Sequence, residues 1–286
     1  MKLSFNGATT MHAPLETDIA AAAAAGFGLL EIWAAKLRTF LETRTTGELK
    51  RIFAAHGVRP YSINSIEHIT FRGQDAYAKI KQECEYLSRI AAELGCPYVV
   101  VVPGLLPPHM VGDDETVEVS VTVLRTLAAI AEPHGVSLAF EFLGQTDCSV
   151  QTLALANEIV TCVDRSNIGM VLDSFHFYAG GSTLESIAAI DPAKLFVFHI
   201  NDAEDRPREE LNDSHRLFPG LGILPLNEIV SGLKAVGFDG VVSVEIFRPE
   251  YWERDPFEVA KDSYHSAKKV IEGASGMKTL STNTHE

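Results

Sequence analysis

The chain has 286 residues, 46% of them hydrophobic, and a formal charge of −14 from 38 acidic and 24 basic residues. That length suits one large domain, and no uninterrupted apolar run of about 18 residues is available to span a membrane. The acidic excess opposes binding to nucleic acid or to an anionic membrane, either of which needs a concentrated basic face.

The first residues, Met1–Lys2–Leu3–Ser4–Phe5, enter a strand-like segment and show no small-residue cleavage site of a secretory signal. Residues 2–7 read as the first strand and 15–25 as the first helix, with Pro14 at its start and Gly26 closing it. The alanine run 20–25 reads as a small-residue helix face packed on a sheet. A strand at 29–33, a helix at 47–56 and a strand at 59–64 follow. The helix 75–94 leads to the apolar strand 98–102, of the kind covered on both faces, and then to a helix at 114–134.

The second half keeps this rhythm. Strands at 137–142, 167–172, 195–200 and 241–246 alternate with helices at about 150–160, 184–189, 226–236 and 257–271. Gly57, Gly95, Gly135 and Gly237 each end a helix and turn the chain back toward a strand. Eight strand–helix units predict an α/β fold closed as a (β/α)8 TIM barrel. The expected catalytic domain spans residues 1–272, and the polar stretch 273–286, without a periodic apolar face, is expected to be a poorly ordered tail. No GxGxxG element follows the first strand, so no NAD site is expected. Cys84, Cys96, Cys148 and Cys162 lack CxxC spacing and read as reduced thiols of a cytoplasmic protein.

Four of the late strands end in a side chain suited to a metal: Glu141, Asp173, His199 and Glu245. The carboxyl ends of parallel barrel strands converge on one face. Two glutamates, an aspartate and a histidine delivered there make a ligand set for one divalent cation, and manganese, cobalt, zinc and magnesium all suit it. His176 lies three residues past Asp173, on the segment leaving that strand, where it is placed to touch substrate. Two long loops follow the ligands. Residues 201–225 are expected to roof the cavity, and 247–256 carry Tyr251 and Trp252, which with Trp33 and Phe71 form a candidate apolar rim for a polyol.

The segments Glu141–Phe142–Leu143–Gly144, Asp173–Ser174–Phe175–His176–Phe177, His199–Ile200–Asn201–Asp202, His215–Arg216–Leu217–Phe218–Pro219–Gly220–Leu221–Gly222 and Val244–Glu245–Ile246–Phe247–Arg248–Pro249–Glu250–Tyr251 resemble the xylose-isomerase-like sugar isomerase and epimerase barrels. Within that superfamily they are most similar to the inosose isomerase family, over about residues 1–271, and the opening through Asn6 also fits. The resemblance implies that Glu141, Asp173, His199 and Glu245 hold the metal and that Glu141 and Glu245 also move the proton. It implies substrate contact by His176 and by an arginine after the metal histidine, for which Arg206, Arg208 and Arg216 compete. Asn6, Trp33, Tyr251 and Trp252 complete the candidate contacts. Leu221 stands where many superfamily members carry an acidic residue, so that turn is expected to add no charge.

The implied reaction interconverts 2-keto-myo-inositol (inosose) and 1-keto-D-chiro-inositol by proton transfer through a cis-enediolate. The alternatives are a ketose 3-epimerase, a hydroxypyruvate-type isomerase, an inosose dehydratase and a non-catalytic metal- and polyol-binding barrel. The expected partner is a small polyol, ketose or inosose; self-association into a homo-oligomer stays open.

Overall fold

A computed structural model describes residues 1–107 and 111–274. Eight parallel strands form the barrel: β1 (Lys2–Asn6), β2 (Leu29–Trp33), β3 (Arg59–Ile66), β4 (Tyr98–Val101), β5 (Ser137–Glu141), β6 (Ile168–Asp173), β7 (Leu195–Ile200) and β8 (Val241–Val244). They run in sequence order around the ring, and β8 closes on β1 with Lys2 opposite Val241. The outer helices include α1 (Leu15–Ala25), α2 (Ala34–Leu41), α3 (Thr46–His56), α4 (Gln74–Leu94), α5 (Asp113–Ala131) and α6 (Leu153–Val163). The chain continues through α7 (Ser174–Ala179), α8 (Leu184–Ile187), α9 (Leu226–Ala235), α10 (Pro249–Trp252) and α11 (Pro256–Gly273). Among the described residues, no helix is long and apolar enough to cross a membrane.

Two separate apolar layers follow from the period of two along a strand. Side chains pointing outward pack under the helices, among them Phe5, Leu30, Ile63, Leu138, Phe140, Leu172 and Phe198. Val100, Val102, Ala139, Val171 and Val197 form a second, inner cluster, with Tyr61, Leu143 and Phe196 against it. Glu141, Asp173 and His199 each sit two residues beyond a member of that inner cluster. The same alternation that buries Ala139, Val171 and Val197 therefore aims the next inward residue at the mouth of the barrel. The register sets their heights: Asp173 pairs with His199, and His199 pairs with Ser243.

The predicted order of elements is present, with differences at the strand ends. β3 runs two residues further than expected, to Ile66, and β8 stops at Val244, so Glu245 lies just past its strand. Three helices replace stretches read as loop. α2 starts directly after β2 on Trp33 without a side-chain cap, leaving no N-terminal signal in the sequence. α7 is capped by Asp173, whose carboxylate accepts a hydrogen bond from His176 N at 2.8 Å. One aspartate thus ends a strand, caps a helix and faces the site. His176 is accordingly helical. Tyr251 and Trp252 lie on α10. At the carboxyl end, Gly273 is the last residue of α11 and Ala274 is buried; the rest of the expected tail, 275–286, lies outside the described residues.

Candidate metal centre and active site

Glu141, Asp173, His199 and Glu245 each place one ligand atom within 4.8 Å of the other three, and all four residues are buried. Three desolvated carboxylates at that spacing repel one another, and a cation held between them offsets that repulsion. One imidazole and three carboxylates match a borderline or hard divalent ion. These residues form a single divalent-metal site.

The imidazole is oriented for coordination. His199 Nδ1 lies 2.8 Å from Glu141 Oε1 and 3.3 Å from Glu245 Oε2, while Nε2 lies 2.8 Å from Oε1 of Glu31. Glu31, from the middle of β2, therefore fixes the ring from behind and leaves Nδ1 toward the ligands. Burial raises the Glu31 carboxyl, but the charge and hydrogen bond of His199 and the Ser62 hydroxyl overcome it and take the pKa down to about 2. Burial likewise pushes His199 down, and Glu245, Glu31 and Glu141 together hold it well above the ordinary imidazole value. Burial dominates at Glu141, pushed up to about 8 with repulsion from Glu245 adding to the effect of burial.

A ring of amides supports the carboxylates. Asn6 Nδ2 donates to Glu31 and to Glu245, both at 3.0 Å, and Asn64 Nδ2 donates to Glu245 at 2.7 Å. Asn201 Nδ2 reaches Asp173 at 2.8 Å. Such contacts fix a carboxylate's rotamer and leave its remaining lone pairs for a metal or a proton.

Of the three arginines, Arg216 is the one that lines the cavity beside the ligands. It is fully buried, and its Nη1 lies 2.9 Å from Asp173 Oδ2 and 3.1 Å from Glu245 Oε2. Its guanidinium lies near the rings of Phe175 and Phe247, and Asp213 binds its other edge. A two-residue antiparallel ladder, Asp202–Ala203 against Arg216–Leu217, carries it inward. The Asp202 carboxylate accepts from Gly220 N and Leu224 N, each at 2.9 Å. Gly222 closes that turn, since a Cβ there would stand 2.0 Å from Ala203 O. The loop 201–225 roofs the site through this arginine. Leu221 is 65% exposed and adds no charge to the site.

His176 is buried, with Nε2 3.0 Å from Arg216 Nη2. A guanidinium only donates, so Nε2 is the acceptor and Nδ1 carries the proton. Burial lowers the His176 pKa, Arg216 lowers it further, and Asp173 opposes both. The neutral ring keeps a donor at Nδ1 that has no partner among the described residues.

A cavity of about 370 Å³ opens above the ligands, lined by Glu141, Glu245, His176, Arg216, Asp213 and Trp33 together with Asn64, His68, Gln145 and Phe247. Of the four expected rim aromatics, the geometry brings in Trp33, whose ring packs edge-on to Phe247. Trp252 does not line this cavity; its indole N–H donates to Ala8 O at 3.0 Å. Tyr251 stacks on Phe218 along an outer groove, and Phe71 also lies outside the lining. Arg206 is exposed and pairs with Glu204, while Arg208 lies over the Tyr178 ring. Asn6 stands beneath the carboxylates and has both ends of its amide engaged. Sequence reading missed Glu31, Asn64, Gln145, Asn201 and Asp213. Glu31 did carry a signal: a carboxylate inside Leu29–Leu30–Glu31–Ile32–Trp33 must find a buried partner.

Residues 19–272 match the family model for the xylose isomerase-like TIM barrel. The chain is 38% identical to the inosose isomerase of Bacillus velezensis over 273 residues, covering 95% of this chain and 97% of that protein. It is 39% identical to the inosose isomerase of Bacillus subtilis, over 94% and 96% of the two chains. The chain belongs to the inosose isomerase family. A crystal structure of IolI protein with a zinc atom superposes with a TM-score of 0.92 at 38% identity, covering 97% of this chain and all of that one. A D-psicose 3-epimerase structure with D-tagatose, at 20% identity and a TM-score of 0.75, shares the fold. With the four-ligand centre in place, this inosose isomerase family member is a metal-dependent isomerase.

Proposed function

We propose that this isomerase interconverts 2-keto-myo-inositol and 1-keto-D-chiro-inositol by moving a proton through a cis-enediolate. The observation that carries the reading is the pair Glu141 and Glu245, whose carboxylates flank one imidazole nitrogen at 2.8 and 3.3 Å on the floor of the cavity. A bound divalent cation supplies the electrophile that acidifies the carbon between carbonyl and hydroxyl. One ionised glutamate takes the proton from that carbon, the other, protonated at the start, gives its proton to the neighbouring carbon, and the hydroxyl proton passes to the former carbonyl oxygen, so no hydride carrier is required. Asn6 and Asn64 hold Glu245 in place, and Glu31 keeps His199 turned toward the ligands. Arg216 and the Nδ1–H of His176 face the oxygens of the substrate, where negative charge develops. A cavity of about 370 Å³ is within the range of small-molecule sites. All four cysteines are free, which fits action in a reducing compartment, the cytoplasm.

The test is proton NMR of inosose incubated with metal-loaded protein. Formation of the isomeric inosose, without NAD and without loss of water, supports the reading. A diketone product would make the chain a dehydratase. Inertness toward inosose with turnover of fructose, tagatose or psicose would make it a ketose epimerase, and inertness toward both sets would leave a binding protein.

A further inference from the structure

Three residues lining the cavity each keep a buried polar atom with no hydrogen-bond partner among the described residues: His176 Nδ1, His68 Nδ1 and Gln145 Oε1. An unpartnered buried nitrogen or oxygen costs about 1–3 kcal/mol, so three around one cavity call for a ligand rich in donors and acceptors. His176 belongs to the metal side. The other two have no role in the chemistry described above.

His68 is also held in an unusual backbone conformation. Its φ is +54°, in the left-handed region that a side chain other than glycine enters at a cost, and Phe71 repeats this at +55°. The loop is kept there by neighbours. Ile69 N donates to Val102 O at 3.0 Å, and the Thr70 hydroxyl accepts from Gly104 N at 2.8 Å and meets Ser149 Oγ at 3.1 Å. Ser149 Oγ in turn donates to Gly104 O at 2.8 Å. Gly104 allows this approach, because a Cβ there would stand 2.2 Å from Thr70 O. The segments after β3, β4 and β5 are thus tied together by buried hydrogen bonds, and the strain at His68 is fixed in advance of any ligand.

Topology sets the direction of this wall. His68 follows β3, which lies four strands from β7 around the ring, opposite the strand that carries His199. A molecule gripped by the metal side therefore presents its far edge to His68, with Gln145 at the side after β5.

We propose that His68 and Gln145 form a hydroxyl-recognition wall that selects a polyhydroxylated ring over smaller ketones, His68 being the specificity-determining residue. Gln145 Oε1 accepts a hydrogen bond from a substrate hydroxyl; its amide nitrogen already donates to Asp213 at 2.9 Å. His68 Nδ1 exchanges a hydrogen bond with a second hydroxyl. The inference rests on the polyol reading above and deepens it.

Metal-loaded wild type, His68→Gly, His68→Asn and Gln145→Ala are compared with inosose and with hydroxypyruvate, alongside calorimetric titration with myo-inositol as a non-reacting cyclitol. Glycine and asparagine both accept the backbone at position 68, so His68→Gly is expected to melt no lower than wild type. Its KM for inosose is expected to rise at least tenfold with a smaller fall in kcat, while any hydroxypyruvate turnover changes less than twofold. KM values within twofold of wild type in His68→Asn and Gln145→Ala would overturn the proposal, whether or not His68→Gly folds. If wild type leaves inosose unchanged, the proposed reaction fails on its own, and calorimetry decides the wall separately. At least tenfold weaker myo-inositol binding in the variants supports it. Equal binding, or none to wild type, overturns it.

Discussion

Glu31 offers the sharpest test of how the barrel builds its metal centre, because it is not itself one of the four ligands yet orients one of them. Its carboxylate accepts from His199 Nε2 at 2.8 Å, from Asn6 at 3.0 Å and from the Ser62 hydroxyl. Glu31→Gln keeps the volume and can keep its oxygen toward His199 and Asn6, with the new amide facing Ser62. What disappears is the negative charge that favours the Nε2–H form of the ring. Loss of a partner behind a ligating histidine costs about 10–100-fold in metal affinity, or about 1.4–2.8 kcal/mol. Glu31→Ala also strips an acceptor from three buried donors at about 1–3 kcal/mol each, so it is expected to destabilise the fold by more than about 3 kcal/mol. The assay is chelator-competition titration with zinc or manganese, read beside thermal melting, with Asp173→Ala setting the floor of occupancy. The glutamine variant should melt near wild type, bind metal at least tenfold more weakly and regain much of its activity in excess metal. Wild-type metal affinity in Glu31→Gln would refute the orienting role.

Two further outcomes are expected. Lys36→Met should cost about 3–5 kcal/mol in urea denaturation, since it strands the fully buried Asp18 carboxylate and removes the donor held by Gly7 O and Thr10 O at 2.8 and 2.7 Å; a loss below about 1 kcal/mol would show that the pair contributes little. Trp252→Ala should lower stability by about 1–3 kcal/mol through the lost Ala8 hydrogen bond and packing, with KM within twofold of wild type, and a large rise in KM at unchanged melting temperature would return Trp252 to the substrate site.

The four ligands were legible in sequence because each ends a strand-like apolar run, and a parallel barrel gathers strand ends by construction. Glycine-terminated helices gave the eightfold rhythm in the same local way. Side chains acting across the barrel were not legible. Glu31 and His199 are 168 positions apart and meet because β2 and β7 face one interior. Arg216 could not be chosen over Arg206 or Arg208 by composition, since all three lie in one polar loop; the two-residue ladder with Asp202–Ala203 decides which guanidinium turns inward. Trp252 and Tyr251 looked like a rim because aromatic residues after Glu245 have the right chemistry, yet α10 turns one toward Ala8 and the other onto Phe218. Local periodicity determined which residues reach the mouth of the barrel, because alternation and capping act within a few residues. Tertiary structure decided which of them meet, because long-range hydrogen bonds and loop closure depend on elements far apart in the chain.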